Sequence, residues 1–193
     1  YARETPEELN KLYKDLLISV TRFFRDTKAF EALSVALRKM LKKKNPGDSI
    51  RIWVPACASG EEAYSIAILL FDILEESIGK YRIQIFATDI DEDAVQLARK
   101  STYPLATVMD TDGNRFEKYF THVEYTVSVK KKVRDLVVLA KQDILKNTPF
   151  LHLDLISCRN LLIYLNAGLQ NKLLALFHYS LDPGGLLFLG KSE

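Results

Sequence analysis

Apolar residues recur along the chain with two spacings, and the change from one to the other divides it. Thr5-Pro6-Glu7-Glu8 combines a hydroxyl N-cap, proline at the first helical position and a glutamate placed to close a capping box, which predicts a helix to about Val20. From near Asp26, Phe30, Leu33, Leu37 and Met40 or Leu41 fall on one face of a second helix that ends at Asn45-Pro46-Gly47. The pattern then shortens. Ile50 to Ala56 is an apolar, β-branched run, Glu61 to Glu76 an amphipathic helix, and Arg82 to Thr88 a second strand, a βαβ succession that implies a parallel sheet.

Asp91 suits the cap of a further helix reaching about Lys100, and there the regular alternation stops. Tyr103 to Leu136 is polar, aromatic and β-rich, with strict alternation from His122 to Val129, and reads as a small antiparallel insertion. Leu136 to Lys141 and Leu153 to Cys158 resume as buried strands. A helix over Asn166 to Ser180, a turn at Asp182-Pro183-Gly184-Gly185 and a last strand from Leu186 to Gly190 follow.

At 193 residues, 48% hydrophobic and 27% charged, the chain is long enough for a sizeable core, which excludes disordered and collagen-like classes. The run Ala63 to Leu74 is broken by Ser65 and Asp72 and is short of the roughly 20 apolar residues a membrane span needs, so membrane insertion is not expected. The start, Tyr1 to Glu8, lacks the basic and apolar regions of a secretory signal, and a cytoplasmic location is expected. A net charge of +2 is too balanced to name nucleic acid as a partner. Cys57 and Cys158 sit in apolar surroundings and read as reduced, buried thiols.

In an open α/β sheet, ligands bind beyond the carboxyl ends of the strands, which directs attention to Ala56 to Glu62, Thr88 to Asp91, Gln142 to Leu145 and Ser157 to Tyr164. The first of these is rich in small residues but is neither a GxGxxG loop nor a P-loop, and its two glutamates would repel a phosphate and suit a cation. Ser59 and Glu62 also have capping-box spacing. Asp89 stands where a carboxylate commonly accepts from ribose hydroxyls. Asp143 could accept from an adenine amino group or brace its own turn. Phe23 and Phe24 read as core anchors, with Arg25 paired to an acid such as Asp26. Arg159 is costly to bury without a partner, and Tyr164 is open to either core packing or a site role.

Five ordered segments together resemble the chemotaxis receptor methyltransferases of the CheR type. They are Val20-Thr21-Arg22-Phe23-Phe24-Arg25-Asp26, Ala58-Ser59-Gly60-Glu61-Glu62-Ala63-Tyr64-Ser65-Ile66, Ala87-Thr88-Asp89-Ile90-Asp91, Asp154 through Arg159-Asn160 to Tyr164, and Pro183-Gly184-Gly185 to Gly190-Lys191-Ser192-Glu193. The resemblance covers nearly the whole chain. It implies an α/β fold, a Rossmann-like class I methyltransferase sheet with flanking helices and a small antiparallel β insertion. Residues 1–48 would form a helical flank carrying part of the cofactor site, and 49–193 the S-adenosylmethionine-binding core, with 103–135 as the inserted β-subdomain.

The activity so implied is methyl transfer from S-adenosylmethionine to receptor glutamates, with S-adenosylhomocysteine as product and no metal. A non-catalytic cofactor-binding or scaffolding module is the alternative. By position, Thr21 and Arg25 would lie near the methionine end of the cofactor, and Ser19, where the family often has asparagine, would also contact it. Glu62 would hold the amino group, Asp89 the ribose, and Asp143 and Ile144 the adenine. Arg159 and Asn160 would line the pocket, and Arg25 and Tyr164 would serve the transfer itself. The expected partners are acidic receptor helices, met by Lys28, Arg38 and Lys42. The segment from Ile156 to Leu165 resembles members fused to methylesterase and sensor domains, so a larger chain is expected.

Overall fold

The inner strands of the core are short apolar runs packed between helical layers, whereas the strands at the two edges, Val137–Lys141 and Leu181–Leu189, hold no buried residue, so the first of these is not the buried strand expected. The structure, a computed structural model, describes residues 21–109 and 111–193; the helix expected to end near Val20 lies outside the described residues, as does Ser19. Helix α1 (Thr27–Leu41) buries Phe30, Leu33, Leu37, Met40 and Leu41, the stripe that its periodicity predicts. Strand β1 (Ser49–Pro55) leads into α2 (Glu61–Leu74), then β2 (Arg82–Asp89) and α3 (Glu92–Lys100), where the Asp91 carboxylate accepts from the Asp93 N–H and caps the helix as expected.

The insertion comprises β3 (Thr102–Pro104), α4 (Gly113–Tyr119), β4 (Phe120–Val123), β5 (Thr126–Val129) and the single turn α5 (Lys131–Arg134). Its strands pair antiparallel in the order β3-β5-β4. The alternating stretch His122 to Val129 contributes to two strands, because Glu124 turns the chain with φ 52°. The core continues with β6 (Val137–Lys141), β7 (Leu153–Cys158), α6 (Ala167–Ser180) and β8 (Leu181–Leu189).

Two boundaries differ from expectation. Helix α2 ends at Leu74 rather than Glu76, because Glu75 takes a positive φ of 47° and the chain tightens into a 3-10 helix over Glu75–Lys80. The segment Asp182 to Gly185 is no free turn before a strand. It lies inside β8, where Leu181 pairs with Leu153 and Leu186 with Leu155, so the extra residues form a bulge that Gly184 accommodates at φ 85°.

The five core strands run parallel in the order β6-β2-β1-β7-β8. Ile50, Ile52 and Val54 of β1 pack with α1, α2 and the insertion, while Trp53 points to the other face and packs with Leu153, Ile156, Leu173 and Phe177. All six residues of β7 are buried, as a strand covered on both faces requires. From β1 the chain adds β2 and β6 on one side and then β7 and β8 on the other. The order therefore reverses between β1 and β7, and a crevice opens at their carboxyl ends.

Candidate functional site

The loop after β1 is shaped by its small residues. Ala56 and Ala58 both adopt positive φ, at 52° and 47°, a conformation that costs about 1 kcal/mol or more per non-glycine residue. The strain is held by backbone bonds from Cys57 N–H to the Thr88 carbonyl and from Gly60 N–H to the Cys57 carbonyl. Gly60, at φ 92°, caps α2 against α3, and a Cβ there would lie 2.9 Å from that of Ala98. Glycine is required on both counts.

Asp89, the last residue of β2, braces this loop. One carboxylate oxygen accepts from Ala58 N–H at 2.8 Å and the other from Asp91 N–H at 2.9 Å. Helix α2 then presents two acids with different fates. Glu61 is buried and takes the Ser59 hydroxyl on both oxygens, so the capping box allowed by spacing for Ser59 and Glu62 does not form. Glu62 instead reaches across to the end of β7, accepting from Ser157 Oγ at 2.6 Å and from the Arg159 guanidinium at 3.1 Å. Burial pushes the Glu62 carboxyl above its ordinary range; Arg159 and the hydroxyl pull it back, and Glu193 pushes it up again.

Arg159, with 3% of its side chain exposed, has partners for its two terminal nitrogens, while its buried Nε has none among the described residues. Besides Glu62 it donates to the Arg25 carbonyl at 3.0 Å, approaches Asp26 at 3.9 Å, and lies over the rings of Phe30 and Phe188 at 5.6 and 4.9 Å. It therefore ties the Thr21 to Asp26 loop to the sheet. That loop is anchored from the other side by Phe23, whose N–H donates to the Thr107 carbonyl and whose ring meets Tyr103 and Phe120 edge-on at 5.1 and 4.9 Å. Phe23 and Phe24 are core residues, as expected.

One cavity gathers most of the candidate residues: Thr21 and Arg25 from the loop, Glu62 from the first turn of α2, Asp89 from the end of β2, and Arg159, Asn160 and Tyr164 from the segment after β7. Tyr164 is 60% exposed, so core packing is not its role, and exposed Ile90 stands with it on the rim. Asp143 and Ile144 do not line this cavity. They follow β6, tethered beside it by a bond from Gln142 N–H to the Asp89 carbonyl, and Asp143 braces its own turn by accepting from Leu145 N–H, which holds its carboxyl below the usual range. Asp26 and Ser157 act on the site without having been nominated. Ser157 was detectable as the lone hydroxyl near the end of an apolar strand, but its partner is 95 residues away.

Residues 19–193 match the model of the family described as CheR methyltransferase, SAM binding domain. The chain belongs to this family. Among relatives, an uncharacterized 104.1 kDa protein of Rhodobacter capsulatus is 34% identical over 96% of this chain and 20% of its own length. Chemotaxis protein methyltransferase 1 of Pseudomonas aeruginosa is 34% identical over 90% of this chain and 65% of its own. The chain thus spans less than two thirds of either. The solved glycopeptide N-methyltransferase MtfA, complexed with sinefungin, covers 96% of this chain and 60% of its own at 15% identity and a TM-score of 0.50, and shares its fold. The fold is accordingly the class I, Rossmann-like methyltransferase fold with a small antiparallel insertion, and the cofactor of this CheR domain is S-adenosylmethionine.

Proposed function

We propose that this domain is a protein-glutamate O-methyltransferase that methylates side chains of chemoreceptor-type signalling proteins. The observation that carries the reading is the cavity at the β1/β7 switch point, with carboxylates at two separate places and an exposed tyrosine at the mouth. The residues fit the cofactor. Glu62, whose carboxyl is pushed up by burial, gains from a cationic amino group. Asp89 uses one lone pair of each oxygen on loop N–H groups and keeps the others for two ribose hydroxyls. Thr21 and Arg25 stand at the methionine end, Arg159 and Asn160 complete the wall, and Asp143 and Ile144, beside the cavity rather than lining it, bracket the adenine.

S-adenosylmethionine supplies an electrophilic sulfonium methyl group. A glutamate acceptor is already ionised near neutral pH, so the chain needs no general base and acts by alignment and exclusion of water. Arg25 and the Tyr164 hydroxyl orient the acceptor carboxylate at the mouth. Lys28, Arg38 and Lys42, exposed on and just after α1, support acidic helices as the docking partner. The division at 48/49, with 103–135 as a subdomain, a place in a larger chain and a cytoplasmic location belong to the same reading; no helix among the described residues is long and apolar enough to cross a membrane.

The test is transfer of labelled methyl from S-adenosylmethionine to a soluble receptor signalling domain. Label released as methanol by mild alkali is expected, since methyl esters are labile. Cofactor binding without transfer would leave a scaffolding module, and alkali-stable label would mean a different acceptor.

A further inference from the structure

We propose that Ser157 is a positioning residue of this site: its hydroxyl and the Arg159 guanidinium form a two-donor clamp that aims the Glu62 carboxylate at the amino group of the bound cofactor. The inference rests on the cofactor placement above and extends it to a residue that does not line the cavity.

Ser157 is fully buried in a strand whose neighbouring residues are Leu155, Ile156 and Cys158. A hydroxyl in such a place costs stability unless it is bonded, and alanine would fill the strand as well. Its bond is to Glu62 Oε1 at 2.6 Å, the short distance of a charge-assisted contact. Glu62 is in the first turn of α2, where a glutamate otherwise folds onto local donors, as Glu61 does with Ser59. The clamp turns it across the crevice. It occupies one site on each oxygen and leaves the second on each for a ligand cation.

Arg159 alone does not suffice, because its charge is shared. Its Nη1 serves both Glu62 and the Arg25 carbonyl, its Nη2 approaches Asp26, and its Nε has no partner among the described residues. The other charged group that acts on Glu62, Glu193 beyond β8, works against its charge, and Glu62 in turn helps push up the neighbouring thiols of Cys57 and Cys158. Ser157 is the donor dedicated to Glu62. Without it the carboxyl binds its proton more tightly, so pairing with an ammonium is lost at lower pH and returns as pH rises.

The experiment is calorimetric titration of wild type and Ser157→Ala with S-adenosylhomocysteine and with 5′-methylthioadenosine, which lacks the amino-acid end. The variant is expected to bind S-adenosylhomocysteine about tenfold or more weakly near neutral pH, with the deficit narrowing toward higher pH, and to bind 5′-methylthioadenosine as wild type does. Equal losses for both ligands, or no loss for either, would overturn the clamp while leaving the cofactor site in place. Failure of wild type to bind either ligand would overturn the cofactor placement and the clamp with it.

Discussion

Replacing Asp89 by asparagine separates the two tasks assigned to that carboxylate. In the structure both oxygens already accept, from Ala58 N–H at 2.8 Å and Asp91 N–H at 2.9 Å. An amide has one acceptor oxygen, so one of these N–H groups would face an NH2 group, a mismatch worth about 1 to 2 kcal/mol. In a domain of this size that lowers Tm by about 2 to 8 °C. The ligand-side effect is separate: losing charged acceptance from ribose hydroxyls costs about 2 kcal/mol, or roughly thirtyfold in Kd. Thermal melts of Asp89→Asn read the first, and calorimetric titration with S-adenosylhomocysteine reads the second. A lowered Tm with Kd within about threefold of wild type would refute the ribose role and leave Asp89 as a brace for the strained Ala56 to Gly60 loop.

Three further outcomes are expected. Tyr164→Phe should keep the affinity for S-adenosylhomocysteine and lower kcat by about tenfold or more; unchanged turnover would remove the hydroxyl from acceptor orientation. Lys44→Ala should destabilise the fold by about 3 kcal/mol in denaturant unfolding, because Asp154, with 9% of its side chain exposed, loses its 2.7 Å partner and keeps, among the described residues, the Arg51 N–H. Both thiols should resist alkylation near pH 8 in the native domain and react on unfolding, since burial pushes them well above the ordinary thiol range and Asp89 adds to the effect at Cys57; rapid native labelling would contradict their placement.

Much of the core was legible because its signals are local. The strand Leu153–Cys158 is apolar along its length but for Asp154 and Ser157, α1 carries a regular stripe, and Asp91 caps α3 by a bond within its own turn. What escaped is what local pattern does not encode. Asp182 to Gly185 has turn chemistry, yet the pairing partner across β7 makes it a bulge. Glu75 ends α2 without the glycine that usually marks a positive φ. Spacing offered Glu62 a bond to Ser59, but a hydroxyl and a guanidinium from β7 and beyond win because the parallel pairing of β1 and β7 brings them within reach. The need for a partner at Arg159 could be inferred from the cost of burial, but its partners could not: they come from two segments far from it in the chain.

The measurement that bears most directly on the site is a crystal structure of the domain with S-adenosylhomocysteine bound. The expected result is a ligand at the β1/β7 switch point, its amino group on Glu62, its ribose hydroxyls on Asp89 and its sulfur facing Tyr164. Electron density for the ligand elsewhere, or in this cavity with its amino group turned away from Glu62, would contradict the assignment of the site.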